Sequence, residues 1–170
     1  MSEAKVLVVY FSRTGTTRVL ASEIAKMLAA DLEEICDRSH RSGALGYLRS
    51  LVDALKKRPA EIVPAGLDIA AYDLVVIGTP VWASSVSAPV RSYLIENRAR
   101  LRHVAFFCSF GGQGSPAAMR QMRELAGKPA VAECAVTARE ARRDAGAALA
   151  GFVSLLKRHI ARARELEWMY

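Results

Sequence analysis

A chain of 170 residues that is 52% hydrophobic suits one domain, spanning 1–170, built around a single apolar core. Its net charge of +7 can steer anionic partners, but a basic surface with no recognition motif beside it gives only non-specific nucleic-acid binding. No apolar run reaches membrane-spanning length and no signal peptide precedes the first strand-like run, so a cytoplasmic protein without a membrane span is expected.

Val6-Leu7-Val8-Val9-Tyr10-Phe11 is an unbroken apolar and β-branched run, the pattern of a strand covered on both faces in a parallel sheet. Leu20, Ile24, Met27 and Leu28 then recur at helical spacing, which makes Ser12-Arg13-Thr14-Gly15-Thr16-Thr17 a strand-to-helix turn. The first free N–H groups of that helix would point back into the turn, where the helix dipole favours negative charge. Ser12, Thr14, Thr16 and Thr17 add hydroxyl donors, Gly15 permits close backbone approach and positive φ, and Arg13 is a candidate phosphate clamp. No G-x-x-x-x-G-K-[ST] follows, which argues against a nucleoside triphosphate with its magnesium and for a terminal monophosphate. Ser and Thr are also ordinary helix caps, so the turn alone leaves both readings open, as it does whether Arg13 clamps an anion or points into solvent.

A second strand is expected at 31–36. After it, Leu45, Leu48, Val52 and Leu55 follow 3-4-3 spacing, which predicts an inserted helix with one buried face. The stretch 38–58 is strongly basic, with Arg38, Arg41, Arg49, Lys56, Lys57 and Arg58 against Asp53 alone. It reads either as a solvated face or as a docking surface for an acidic protein or for the phosphates of a nicotinamide nucleotide.

Two further strands, expected at 72–78 and 103–109, end in loops of like character. One loop is Thr79-Pro80-Val81-Trp82-Ala83-Ser84-Ser85-Val86-Ser87-Ala88-Pro89, and the other is Ser109-Phe110-Gly111-Gly112-Gln113-Gly114-Ser115. In an open α/β sheet such carboxyl ends form the ligand crevice where strand order reverses. Each loop has one aromatic residue among small ones, so a planar ring can lie against Trp82 or Phe110 while backbone amides of the Gly-rich loop meet its polar edge. A phosphate turn together with two aromatic loops points to flavin mononucleotide (FMN).

Helices are expected at 16–30, 88–98, 115–126 and 141–165, with a last strand at 131–137; this alternation implies right-handed crossovers and a parallel sheet. Cys36, Cys108 and Cys134 stand singly in apolar runs, without metal-like spacing, and read as buried strand thiols of a reducing compartment. His40, His103 and His159 form no catalytic constellation and read as structural or solvated. The final Glu165-Leu166-Glu167-Trp168-Met169-Tyr170 carries aromatic and apolar residues suited to covering a second copy in a homodimer or to folding back on their own chain.

On these residues the chain resembles flavodoxins and the flavodoxin-like FMN proteins. The S-x-T-G-x-T pattern of Ser12 to Thr17 looks like their phosphate loop. Thr79 to Pro89 looks like their first isoalloxazine loop, with Trp82 in the aromatic position, and Ser109 to Ser115 like the second, with Phe110 where a tyrosine is frequent. The resemblance runs from about Lys5 to Ile160. It implies an α/β fold: a single doubly wound flavodoxin-like domain with a five-stranded parallel sheet of order 2-1-3-4-5, flanked by helices, and a helical insertion after strand 2. It further implies non-covalent FMN held by Ser12, Arg13, Thr14, Gly15, Thr16, Thr17, Thr79, Pro80, Val81, Trp82, Ala83, Ser109, Phe110, Gly111, Gly112, Gln113 and Gly114, with one- or two-electron transfer.

Electron-carrying flavodoxins are acidic around the flavin, which disfavours the anionic reduced ring. Here neither ring loop carries a charged side chain and the phosphate turn carries Arg13, so less negative redox couples are expected. This favours an NAD(P)H-dependent reductase of a quinone or similar acceptor over an electron carrier to a redox partner protein. A non-flavin interaction module on the same fold is the third reading, against which the complete phosphate turn and Trp82 both count. The first strand ends Tyr10-Phe11-Ser12 without the acidic cluster a response-regulator receiver needs, which argues against that reading. The cofactor would carry the hydride or electron chemistry, so no catalytic side chain is required.

Overall fold

The structure, a computed structural model, describes residues 3–38, 45–46, 48–49, 52, 56–57 and 59–167. Strands Val6–Tyr10 (β1), Asp31–Glu34 (β2), Leu74–Trp82 (β3), His103–Phe110 (β5) and Glu133–Thr137 (β6) lie side by side in the order β2-β1-β3-β5-β6, all parallel. This is the expected 2-1-3-4-5 sheet. A two-residue strand, Ser85–Val86 (β4), pairs antiparallel with the end of β3. Helices Thr16–Leu28 (α1), Ala88–Asn97 (α2), Ser115–Ala126 (α3) and Ala138–Glu167 (α4) complete the chain order.

The continuous apolar runs follow from burial of both sheet faces. Alternate residues Leu7, Val9, Ile77 and Phe106 join one core with Val90, Tyr93 and Leu94 of α2 and Met119 and Met122 of α3. Their neighbours Val8, Tyr10, Val76 and Phe107 join a second core with Leu20 and Ile24 of α1 and Leu149, Phe152 and Leu156 of α4. In that second layer Gly78 stands in register between Tyr10 and Phe107.

Helix α4 opens with a reciprocal cap. The Thr137 hydroxyl accepts the Glu140 N–H at 3.1 Å, and Glu140 Oε2 accepts the Thr137 N–H at 2.8 Å, which holds the Glu140 carboxyl below its usual range. At Asp144 the backbone leaves helical geometry (φ −163°, ψ 92°), and the Asp144 carboxylate accepts the Ala147 N–H at 3.0 Å, capping a second, longer segment. From Lys157 to Glu167 no residue is buried.

Several expectations are corrected. Strand β3 does not end at Gly78 but continues through Trp82, because Pro80 pairs with Ser109 of β5 and Trp82 with Ser85 of β4; Thr79 to Trp82 is strand rather than loop. Phe110 likewise belongs to β5, opposite Thr137. The 3-4-3 face of the insertion is not buried: Leu45, Leu48 and Val52 are 84%, 58% and 36% exposed. Spacing marks an apolar stripe but says nothing of what covers it. Leu55, His40, Arg41, Asp53, Arg58 and the terminal Trp168-Met169-Tyr170 lie outside the described residues. Cys36 is exposed, because β2 ends at Glu34 where its pairing with β1 ends; Cys108 is buried in β5 and Cys134 half-buried in β6. Among the described residues no helix is long and apolar enough to cross a membrane.

Candidate functional site

Strand order reverses between β1 and β3, and the carboxyl ends of β1, β3 and β5 adjoin there. At this edge lies a cavity of about 390 Å³, within the usual range for small-molecule and cofactor sites. The β1–α1 turn contributes Arg13, Thr14, Thr16 and Thr17 to its wall. The β3 hairpin contributes Pro80, Val81, Trp82 and Ala83, the end of β5 contributes Ser109, Phe110 and Gly111, and α4 contributes Ala138. Eleven of the seventeen residues expected from sequence therefore meet around one space.

The turn after β1 leaves the N-terminus of α1 open toward the cavity. Gly15 is the N-cap of α1 at φ +99°, with no side chain capping the first turn, and a Cβ placed there would meet nothing within 4 Å. Ser12 Oγ accepts the Gly15 N–H at 3.0 Å, shaping the turn from within, while the next amides of the 13-residue helix are left without a side-chain cap. Thr17, 1% exposed, places its hydroxyl 2.8 Å from Ser109 Oγ and so ties the turn to β5.

The opposite wall is built on a tight hairpin. Ala83 (φ 48°) and Ser84 (φ 57°) both adopt left-handed geometry, as a two-residue turn of type I′ requires. That turn sets Trp82 edge-on to Phe11, with ring centroids 5.6 Å apart. Gly114, the N-cap of α3 at φ +96°, packs against the turn so closely that a Cβ would lie 2.6 Å from Ser84 Cα. Gln121 of α3 fastens the hairpin from below: its Oε1 accepts from Ser85 Oγ at 2.7 Å, from the Val86 N–H at 3.2 Å and from Arg91 Nη2 at 2.8 Å.

The remaining expected residues stand behind or beside the wall. Thr79 is fully buried; its hydroxyl donates to the Pro80 carbonyl at 2.8 Å and accepts the Ser87 N–H at 3.1 Å, pinning the start of α2. Gly112 and Gln113 are exposed outside the cavity. Sequence reasoning passed over Ala138, Arg91, Gln121 and Arg142. Arg142 lines an adjoining cleft that shares Thr14 and Thr16 with the cavity. Arg91 carried a signal, a lone cation inside the apolar run from Ala88 to Leu94.

Chemically, the wall offers uncapped helix amides, threonine hydroxyls and Arg13 at one end and a Trp82/Phe110 slot at the other. This donor set fits the phosphate and the planar ring of FMN. Among the described residues, Arg13 is the one charged side chain of the wall, and no carboxylate lines it. Cys108 offers no nucleophile, since burial pushes its thiol up to about 12. Among the described residues no cluster of His, Cys, Asp and Glu could hold a metal ion. A smaller cavity of about 190 Å³, at the end of β2 between Glu33, Cys36 and Tyr93, shares no residue with this site.

The family profile described as Flavodoxin matches residues 5–145. No curated protein matches the sequence. Among solved structures, the chain is similar to a flavoprotein in complex with FMN from Lactobacillus acidophilus NCFM, at 25% identity and a TM-score of 0.69, over 82% of this chain and 97% of that one. The apo-form of the flavoprotein from the same organism aligns at 24% identity and a TM-score of 0.61, over 81% of this chain and 93% of that one. Oxidised flavodoxin 2 from Bacillus cereus shares the fold, at 15% identity and a TM-score of 0.63, over 92% of this chain and 99% of that one.

Proposed function

This chain belongs to the flavodoxin family, and from that premise we propose that it is an FMN flavoprotein working as an NAD(P)H-dependent reductase of a quinone or similar acceptor in the cytoplasm. The observation that carries the reductase reading is the cavity wall, in which, among the described residues, Arg13 is the one charged side chain and no carboxylate stands. When bound, FMN supplies hydride acceptance and electron release. The protein's residues bind, orient and shield. Thr14, Thr16 and the first-turn amides of α1 take the phosphate, with Arg13 beside them. Trp82 and Phe110 flank the ring, and the exposed backbone at Gly111 meets its polar edge. Ser12 and Gly15 shape the phosphate turn, and Thr17 with Ser109 locks it to β5. Thr79 and Ala83 hold the hairpin that carries Pro80 and Val81. Gly114 seats one ring loop against the other, leaving Gly112 and Gln113 at the rim. With no negative side chain in the wall among the described residues, the charge that reduction brings is opposed less than in an acidic site.

The test is anaerobic addition of one equivalent of NADH or NADPH to the FMN-loaded chain, followed by a quinone. Stoichiometric bleaching of the flavin band and its return with the quinone is the expected result. A band that ignores both nucleotides yet bleaches with dithionite would assign the chain to electron carriage for a protein partner. Arg38, Arg49, Lys56 and Lys57, all exposed, would suit an acidic partner of that kind.

A further inference from the structure

We propose that Arg91 is a fixed positive charge that raises the reduction potential of FMN in this site, held beneath the Trp82 hairpin by Ser85 and Gln121. The proposal rests on the FMN reading above. Arg91 lies on α2, one turn past Ser87, and is 6% exposed. Its Nη2 donates to Ser85 Oγ at 3.0 Å and to Gln121 Oε1 at 2.8 Å, and its Nε meets no acceptor among the described residues. Both acceptors are neutral, and no carboxylate pairs with the guanidinium among the described residues. Burial draws it below its usual range, although an arginine keeps its proton under any physiological condition. A buried, unpaired charge is costly, and an apolar side chain of similar length would join α2 to α3 at lower cost. The charge therefore has a use that packing does not supply.

Its location indicates that use. Ser85 belongs to β4 and is the antiparallel partner of Trp82, so the guanidinium is bonded to the short strand that backs the aromatic end of β3. Gln121 Oε1 takes three donors at once, and this network keeps the cation from swinging out to solvent. Transfer of a hydride from a reduced nicotinamide adds two electrons and one proton to the ring, leaving one more negative charge and an oxidised nicotinamide. A cation already in place within a low-dielectric wall favours that charge without reorganising. Arg91 is not among the residues lining the cavity and acts on it through its charge.

The test is spectroelectrochemical titration of the FMN-loaded full chain as wild type, Arg91→Met, Arg91→Lys and Gln121→Glu. Gln121→Glu preserves the side chain's size and sets a carboxylate against Arg91. At a fixed applied potential, the ratio of reduced to oxidised flavin should fall at least about tenfold in Arg91→Met and in Gln121→Glu, a shift of about −30 mV for a two-electron couple, with Arg91→Lys close to wild type. Should Arg91→Met fail to fold, Gln121→Glu carries the test, since it removes no volume from the core. Potentials that stay put while FMN still binds overturn the proposal. So does a loss of FMN affinity without a shift in potential, which marks the cluster as support alone. A wild-type chain that takes up no FMN overturns the cofactor reading and this proposal together, and is distinguished by yielding no flavin couple to measure.

Discussion

The hydroxyls of Thr17 and Ser109 lie 2.8 Å apart although 92 positions separate them in the chain. The bond joins the first turn of α1 to the end of β5, so the β1–α1 turn and the β5 side of the cavity share one buried strut. Thr17→Val preserves the shape and leaves Ser109 Oγ without its partner. The expected loss is about 1–2 kcal/mol in unfolding free energy, read from urea midpoints. Fluorescence titration should show weaker binding of FMN and of riboflavin alike, because the strut positions both ends.

Thr14 and Thr16 make a contrasting prediction. Both line the cavity and are partly exposed. Changing them together to alanine should weaken FMN at least about tenfold, or about 1.4 kcal/mol, while riboflavin, which lacks the phosphate, binds as before. Equal weakening of both ligands would remove these threonines from the phosphate site.

Gly78 faces the ring of Phe107, and a Cβ there would stand 2.0 Å from Phe107 Cζ. The ring is fully buried at the sheet centre and has nowhere to retreat. Gly78→Ala should cost about 3 kcal/mol or more by overpacking, seen as a lowered thermal midpoint. Restoring room with Phe107→Leu in the same chain should recover part of the loss.

Tyr72 donates its phenol to Asp31 Oδ2 at 2.7 Å, and that bond, helped by burial, pushes the phenol from 10.0 up to about 12. A raised folded value means that stability is intact below pH 10. It falls as pH rises from 10 towards 12, where unfolded chains release a proton that folded chains keep. Tyr72→Phe should flatten this part of the alkaline limb in denaturation midpoints recorded from pH 9 to 12. Cys108, Cys134, Tyr10 and Tyr93, also raised, keep the remainder of the slope.

His159 stacks edge-on against His103, ring centroids 5.0 Å apart, and burial first and His103 second push it below 6.5. The sign here is opposite. Stability is full above pH 6.5 and declines as pH falls below it, because unfolded chains take up a proton that folded His159 resists. Imidazole resonances followed by NMR should place the His159 midpoint below 6.5, and His159→Gln should blunt the loss of stability between pH 6.5 and 5.

What the sequence revealed and what it concealed divide along a physical line. Residues 6–11 and 104–108 are covered on both faces, so their apolar runs declare buried strands, and Leu20 and Ile24 mark the buried stripe of α1. Gly15 was visible because the turn needs its geometry. The continuation of β3 to Trp82 was not, since the turn that supplies its partner is made by Ala83 and Ser84, neither of which announces a left-handed conformation. The Thr17–Ser109 strut and the grouping of Arg91, Ser85 and Gln121 are non-local, and no periodicity encodes them. Leu45, Leu48 and Val52 show the converse failure, a clear period without a covering surface.

Helix α4 ends in eleven residues, Lys157 to Glu167, of which none is fully buried; His159 on His103 and Ile160 against the second core are partly covered. A helical segment of that length standing alone is marginal in water, because propagation barely offsets nucleation. Its persistence is lent by the turns anchored through Phe152, Val153 and Leu156. Amide exchange along this one helix should therefore form a gradient, near the fraying limit at Glu167 and approaching the global unfolding rate by Leu149. A single element would then report, residue by residue, how far cooperativity reaches from the sheet.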